Sequence, residues 1–187
     1  VKESVQVLLP IFVLFLLTHA MLIFGTLSMH ASEAAGVAAH IGQQVMTTAR
    51  DPNLGVLFML SLLLHAYSLG AGTYTGIEAV SNSMQTLREP RVQTGKRAML
   101  YLSFSLAFMA GGIIVGYVLN GVVPVQGKTL NAVLSGKVFG GWGGFGRTLA
   151  LITIFSEGAL LLVAAQTGFV DGPRVMANMA VDYWFPH

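Results

Sequence analysis

Long apolar runs dominate this chain, and four of them are long enough to cross a membrane as helices. A helix needs about 20 apolar residues to span the hydrocarbon core of a bilayer. The predicted spans cover about residues 5–27, 54–82, 98–119 and 148–170. The second run carries three glycines between residues 70 and 76. It predicts a broken helix, because open backbone is tolerated in a membrane only where it faces protein or a water-filled cavity.

The connections between the runs differ in character. The first contains small residues that predict an outer loop helix over about residues 32–50, on or near the membrane surface. The second, residues 84–97, is basic. The third, residues 120–147, is rich in glycine and predicts one or two helical turns over residues 130–134. We therefore predict an all-α integral membrane fold with four transmembrane helices, in a single membrane domain over residues 1–187.

Composition supports the membrane class and excludes several others. The chain is 54% hydrophobic and only 10% charged, whereas a soluble domain carries about 25% charged residues. Its net charge of +2 is too small to indicate a nucleic-acid partner, and the absence of cysteine excludes disulfides and thiolate metal sites. We predict neither enzymatic activity nor a cofactor. The abrupt ends, at Val1 and His187, indicate a fragment of a longer protein.

Basic residues orient the predicted spans. Six lie on the side that holds the second connection and both chain ends, and four lie on the other side: Lys2, Arg88, Arg91, Lys96, Arg97 and Arg174 against Arg50, Lys128, Lys137 and Arg147. Short loops rich in Lys and Arg tend to remain in the cytoplasm. This bias predicts a multi-pass protein of the cell membrane with both chain ends cytoplasmic.

Glu78 is the leading candidate for a binding residue. A carboxylate at the bilayer centre costs about 2.5–3.5 kcal/mol even on the lenient insertion scale, so it must be protonated, paired or bound to a cation. Thr75 lies on the same helical face, Asn82 extends that face, and Gly76 lies at the predicted break. Hydroxyl, carboxylate and backbone oxygens would suit a monovalent cation. The N-terminus of a half-helix could instead bind a substrate carboxylate. In a third interpretation Glu78 is structural and bonds to a neighbour in a helix contact packed through glycine.

Glu157 is the second candidate, inside the fourth span. It shares a helical face with Thr153 and must face the protein interior. A coupling role and a structural role as an interhelical anchor are both open. His19 and His65, in the first and second spans, could relay protons or simply bond a backbone carbonyl. The two histidines could also serve as axial ligands of a haem.

Four stretches resemble the amino acid–polyamine–organocation superfamily of permeases. Tyr74-Thr75-Gly76-Ile77-Glu78-Ala79 resembles the sixth transmembrane helix of that superfamily, and Arg88-Glu89-Pro90-Arg91 resembles the cluster that follows it. Residues 127–134 resemble the outer loop between helices seven and eight, and residues 164–180 resemble the end of helix eight. Within the superfamily, these stretches are similar to the KimA-like branch of proton-coupled potassium transporters.

The resemblance implies a partial LeuT-like fold of five plus five inverted-repeat helices, of which the four spans would be helices five to eight. It implies that Thr75 and Glu78 bind K⁺, with the other ligands on helices one, three and ten, which this chain does not contain. Proton-coupled potassium uptake by alternating access is the expected function. An amino-acid permease of the same superfamily, a channel subunit and a membrane haem protein are the alternatives.

The expected partners follow from the same resemblance. They are the lipid bilayer, a small ion or amino-acid substrate, and the remainder of the transporter. A homodimer is a further expectation for the full-length protein.

Overall fold

The computed structural model describes residues 2–52, 55–70, 80–81, 84 and 87–184. Within these residues the chain is mainly helical. The helices are α1 (Lys2–Met29), α2 (Ala34–Arg50), α3 (Gly55–Leu69), α4 (Arg91–Leu119), α5 (Leu130–Phe139) and α6 (Gly143–Val181). The only β-type pairing in the described part of the chain is an isolated bridge between Val125 and Lys128. The predicted all-α fold is therefore confirmed.

Three stretches of the described residues are long and apolar enough to cross a membrane: Leu8–Met29, Arg91–Leu119 and Leu130–Ala165. A fourth is present if α2 and α3 together form one bent span. The predicted break of the second span covers Gly70 to Gly76, and all of it except Gly70 lies outside the described residues. These apolar helices identify a multi-pass membrane protein.

The start of α4 differs from the predicted span, because the helix begins at Arg91 rather than near residue 98. Three of the four basic residues of the second connection therefore lie on a helix. Positive charge is unfavourable at a helix N-terminus, and Glu89 lies at this end of α4. One Glu89 oxygen is 2.8 Å from Arg91 Nε, and the other accepts the Arg91 backbone N–H at 3.3 Å. Thr94 adds a bond from its hydroxyl to the Arg88 carbonyl at 2.9 Å.

The region predicted as a glycine-rich loop is more ordered than its composition indicates. α5 runs for ten residues, Leu130–Phe139, and a 3₁₀ turn over Gly140–Trp142 leads directly into α6. Thr129 caps α5, because its hydroxyl accepts the Ala132 backbone N–H at 3.1 Å. The glycines predict a loop here, whereas Gly146 permits close packing. A Cβ at that position would fall 1.9 Å from the Phe139 carbonyl oxygen.

The chain divides into two compact units. The first unit comprises Val1–Leu27 and Gly116–His187, and the second unit is Ser28–Val115. In the first unit, α5 packs tightly at two further glycines. A Cβ at Gly25 would lie 2.9 Å from Val138 Cγ1, and one at Gly116 would lie 3.1 Å from Leu134 Cδ2. Small residues of this kind are what allow membrane helices to approach closely.

The interior of the first unit is half polar. Its buried apolar side chains are Leu22, Ile23, Leu134, Val138, Phe139 and Leu149, and its buried polar side chains are Thr18, His19, Thr26, Ser135, Thr153 and Ser156. Every buried side-chain nitrogen and oxygen of the described residues has a hydrogen-bond partner. The interior of this unit is therefore a satisfied polar network as well as an apolar core.

Candidate functional site

The four residues of the predicted cation site, Thr75, Gly76, Glu78 and Asn82, lie outside the described residues. Their proposed roles stay predictions. The remaining three candidates, His19, Thr153 and Glu157, all lie in the first unit. There the structure brings two of them together.

His19 of α1 and Glu157 of α6 form a direct bond across 138 residues of sequence. His19 Nε2 lies 2.9 Å from Glu157 Oε1. The histidine side chain is 3% exposed and the glutamate side chain 15% exposed. α1 supplies the histidine from the face that also buries Leu22 and Ile23. The pair therefore joins two helices of the first unit from inside its core.

The hydrogen bond of the other histidine nitrogen shows how many protons the pair holds. His19 Nδ1 lies 2.9 Å from the backbone carbonyl oxygen of Phe15. A carbonyl oxygen only accepts, so Nδ1 carries a hydrogen and donates it. Nε2 then faces a carboxyl oxygen, and a hydrogen bond between them needs one more proton. That proton is either on Nε2, which makes an ion pair, or on Glu157, which makes a neutral pair. In both arrangements the pair has no net charge.

Neighbouring groups hold the imidazole in this position. The Phe15 ring contacts it at a centroid distance of 3.9 Å and a tilt of 33°. Thr18 Oγ1 donates to the Phe15 carbonyl at 3.0 Å and lies 3.4 Å from His19 Nδ1. One carbonyl thus receives hydrogens from two buried side chains. The sequence prediction that His19 would bond a carbonyl is correct for Nδ1, and its pairing with Glu157 was not foreseen.

Thr153 is fully buried on α6, one turn before Glu157. Its hydroxyl donates to the Leu149 carbonyl at 2.9 Å. Ser156 is equally buried, and its hydroxyl donates to the Thr153 carbonyl at 2.7 Å. Both hydroxyl hydrogens are thus used within the helix. Only the oxygen lone pairs of these two side chains are available to a neighbour.

A second polar group of the first unit was missed by the sequence reasoning. Tyr117, near the end of α4, donates its hydroxyl hydrogen to Asn131 Oδ1 of α5 and lies within electrostatic range of Glu157. Asn120 donates to Thr26 Oγ1 at 3.4 Å and to the Gly116 carbonyl at 3.0 Å. The sequence does contain a signal for this group. Tyr117 and Asn120 lie at the end of an apolar run, where a phenol or an amide needs a hydrogen-bond partner.

Lys137 ties the same end of α4 to α5. Its ammonium donates to the carbonyls of Asn120 and Gly121 at 2.6 and 3.1 Å. These carbonyls lie just past the C-terminus of α4, where the helix dipole favours a cation. This lysine therefore fixes the connection between the two helices rather than forming part of the buried pair.

The structure gives no support to His19 and His65 as a pair of haem ligands. Both ring nitrogens of His19 are engaged, one with Phe15 and one with Glu157, so neither is free to bind iron in this arrangement. His65 is exposed on α3, in the second unit. Among the described residues, no group of three or more histidine or acidic side chains could hold a metal ion.

Comparison with known proteins gives one informative match. The chain is 30% identical over 141 residues to the potassium transporter KimA of Bacillus subtilis (strain 168). The aligned region covers 75% of this chain and 22% of that protein, so the chain spans only about a fifth of the relative's length. No protein-family model matches the chain, and no solved structure matches it.

Proposed function

We propose that this chain is part of a secondary transporter that takes up potassium together with protons by alternating access. The observation that carries the proposal is the similarity to the potassium transporter KimA over three quarters of the chain. The apolar helices support it, and so does the His19–Glu157 pair of the first unit, because ionisable side chains inside membrane helices usually mark a path for ions or protons. The chain would operate in the cell membrane, with both of its ends in the cytoplasm.

In this proposal the cation binds at the predicted break of the second span. Thr75 and Glu78 supply oxygen ligands, and Gly76 leaves the backbone carbonyls accessible. Asn82 extends the polar face. The remaining ligands would come from parts of the longer protein that this chain does not contain. The chain spans about a fifth of the length of its relative. Rocking of one helix bundle against another would then expose the site to each side of the membrane in turn.

The test is rubidium uptake by the full-length protein in cells that lack their own potassium uptake systems. We expect uptake that is abolished by a protonophore and insensitive to excess amino acids. The variant Glu78→Gln should lose uptake, because the neutral amide removes the cation's charged ligand. The matched control is Glu33→Gln, a change at an exposed carboxylate, which should behave as wild type.

Other outcomes would identify the rival functions. Competition by amino acids would indicate a permease that uses the same break for a substrate carboxylate. Flux far above transporter turnover, without dependence on the proton gradient, would indicate a channel. Wild-type uptake by Glu78→Gln would remove Glu78 from the cation site.

A further inference from the structure

We infer that His19 and Glu157 form a proton-binding site, separate from the predicted cation site, and that this pair carries the coupled proton. The inference rests on the proposed function, and names the residues that would serve its proton step. Three features of the pair support it: the one proton that its hydrogen bond requires, the partial exposure of Glu157, and its place between two helices.

The proton balance of the pair is simple. With Nδ1 donating to Phe15, the pair holds one further proton between Nε2 and Oε1. Release of that proton leaves a neutral imidazole lone pair facing a carboxylate oxygen, with a net charge of −1. Two acceptors at 2.9 Å repel each other, and a buried unpaired charge is costly. Uptake of one proton restores the hydrogen bond and the zero net charge.

The two members of the pair differ in exposure. Glu157 is 15% exposed, whereas His19 is 3% exposed. A proton would therefore enter and leave through the carboxylate, with the imidazole as its buried partner. Tyr117 on α4 is a further titratable side chain within electrostatic range of Glu157, and its hydroxyl hydrogen is committed to Asn131.

The choice of residues argues against a purely structural anchor. Two other bonds between side chains of the first unit use uncharged groups, Tyr117 with Asn131 and Asn120 with Thr26. Uncharged pairs of that kind join membrane helices adequately. The α1–α6 bond instead uses two groups that exchange protons. Loss of the bridging proton would break this bond, so proton binding controls whether α1 and α6 are tied together.

The experiment measures proton and cation movement separately, with the full-length protein in liposomes that contain a pH-sensitive dye. An inward rubidium gradient should acidify the lumen of wild-type vesicles. Glu157→Gln keeps the hydrogen bond, because its amide donates to Nε2, but it cannot titrate. We expect this variant to lose rubidium-driven acidification and to retain exchange of labelled for unlabelled rubidium, which requires only cation binding and helix movement.

A second variant and two controls make the result decisive. His19→Gln should likewise lose acidification and retain exchange. Thr148→Val, an exposed change on the same helix as Glu157, and the exposed change Glu33→Gln should retain both. Rubidium-driven acidification in Glu157→Gln or His19→Gln would overturn the inference. Loss of exchange in both variants would also overturn it, because that is what a purely structural pair predicts.

Failure of the proposed function gives a different result. In that case wild-type vesicles show no rubidium flux, or flux without acidification, and the inference fails with it. If the wild type couples rubidium to protons and both variants do so equally well, only the proposed role of the His19–Glu157 pair is rejected.

Discussion

The described parts of the two units differ in what they bury. Among the described residues, the first unit buries six polar side chains alongside six apolar ones. In the second unit, neither α2 nor α3 has a buried residue, and apolar side chains such as Leu57 are 83% exposed. Lipid can surround an exposed leucine at no cost, whereas a polar side chain needs a bonded partner. Polarity, more than apolarity, therefore decides what is placed inside this membrane protein.

Removing one member of the His19–Glu157 pair should have one of the largest effects on stability. Glu157→Ala leaves His19 Nε2 without its partner. We expect the free energy of unfolding in detergent micelles to fall by about 3 kcal/mol. An unsatisfied buried neutral group costs up to about 3 kcal/mol, and breaking a buried ion pair costs at least about 3 kcal/mol. Glu157→Gln, which keeps a donor at the same place, should lose much less.

A double-mutant cycle with His19→Ala checks that the loss comes from this bond. The two changes should not be additive, since the second removes the partner that the first left unsatisfied. Additive effects would show that His19 and Glu157 are stabilised by separate contacts.

Close packing in the first unit should be nearly as sensitive as its polar bond. A Cβ at Gly146 would lie 1.9 Å from the Phe139 carbonyl oxygen. Gly146→Ala must therefore shift α6 relative to α5, at a cost of about 1–3 kcal/mol. Gly144→Ala, two residues away in open space, should be neutral or gain up to about 1 kcal/mol from better helix propensity. Equal melting temperatures for the two variants would contradict the close packing of α5 on α6.

Helix capping gives a smaller effect. Thr129→Ala removes the hydroxyl that accepts the Ala132 N–H and should cost about 1 kcal/mol. Thr129→Ser keeps the hydroxyl and should preserve most of the stability. Hydrogen exchange at the start of α5 would report the loss locally. Unchanged protection in Thr129→Ala would show that the cap is not what begins this helix.

The second unit should show the smallest effect. Leu57→Ala changes an exposed side chain, so unfolding in micelles should change by no more than about 0.5 kcal/mol. Its matched control is Leu22→Ala in the first unit, a fully buried leucine, for which a loss of about 2–5 kcal/mol is expected. A large loss for Leu57→Ala in the full-length protein would mean that protein, rather than lipid, covers this face of α3.

Several features could be predicted from the sequence because they are local. Run length and hydropathy identify apolar helices without knowledge of their neighbours. A carboxylate inside an apolar run, such as Glu157, must face the interior on solvation grounds alone. The same reasoning selected Glu78, whose role stays a prediction together with those of Thr75, Gly76 and Asn82. The LeuT-like arrangement of helices also stays a prediction.

Other features could not be read from local pattern. A glycine-rich stretch is compatible with a loop or with close helix packing, and only the neighbours of Gly146 decide between them. Thr153 shares a helical face with Glu157, yet its hydroxyl donates within its own helix. Spacing along a helix indicates which residues share a face, but it does not indicate where a hydroxyl hydrogen points.

The sequence by itself determined that this protein is helical and membrane-embedded, and that His19 and Glu157 each need an interior partner. Only the tertiary structure decided that they are each other's partner. The two residues are 138 positions apart, and the face that α1 turns inward depends on contacts with other helices, such as Gly25 against Val138 of α5. The single proton that the pair holds follows from that contact and from the Phe15 carbonyl on the other side of the imidazole.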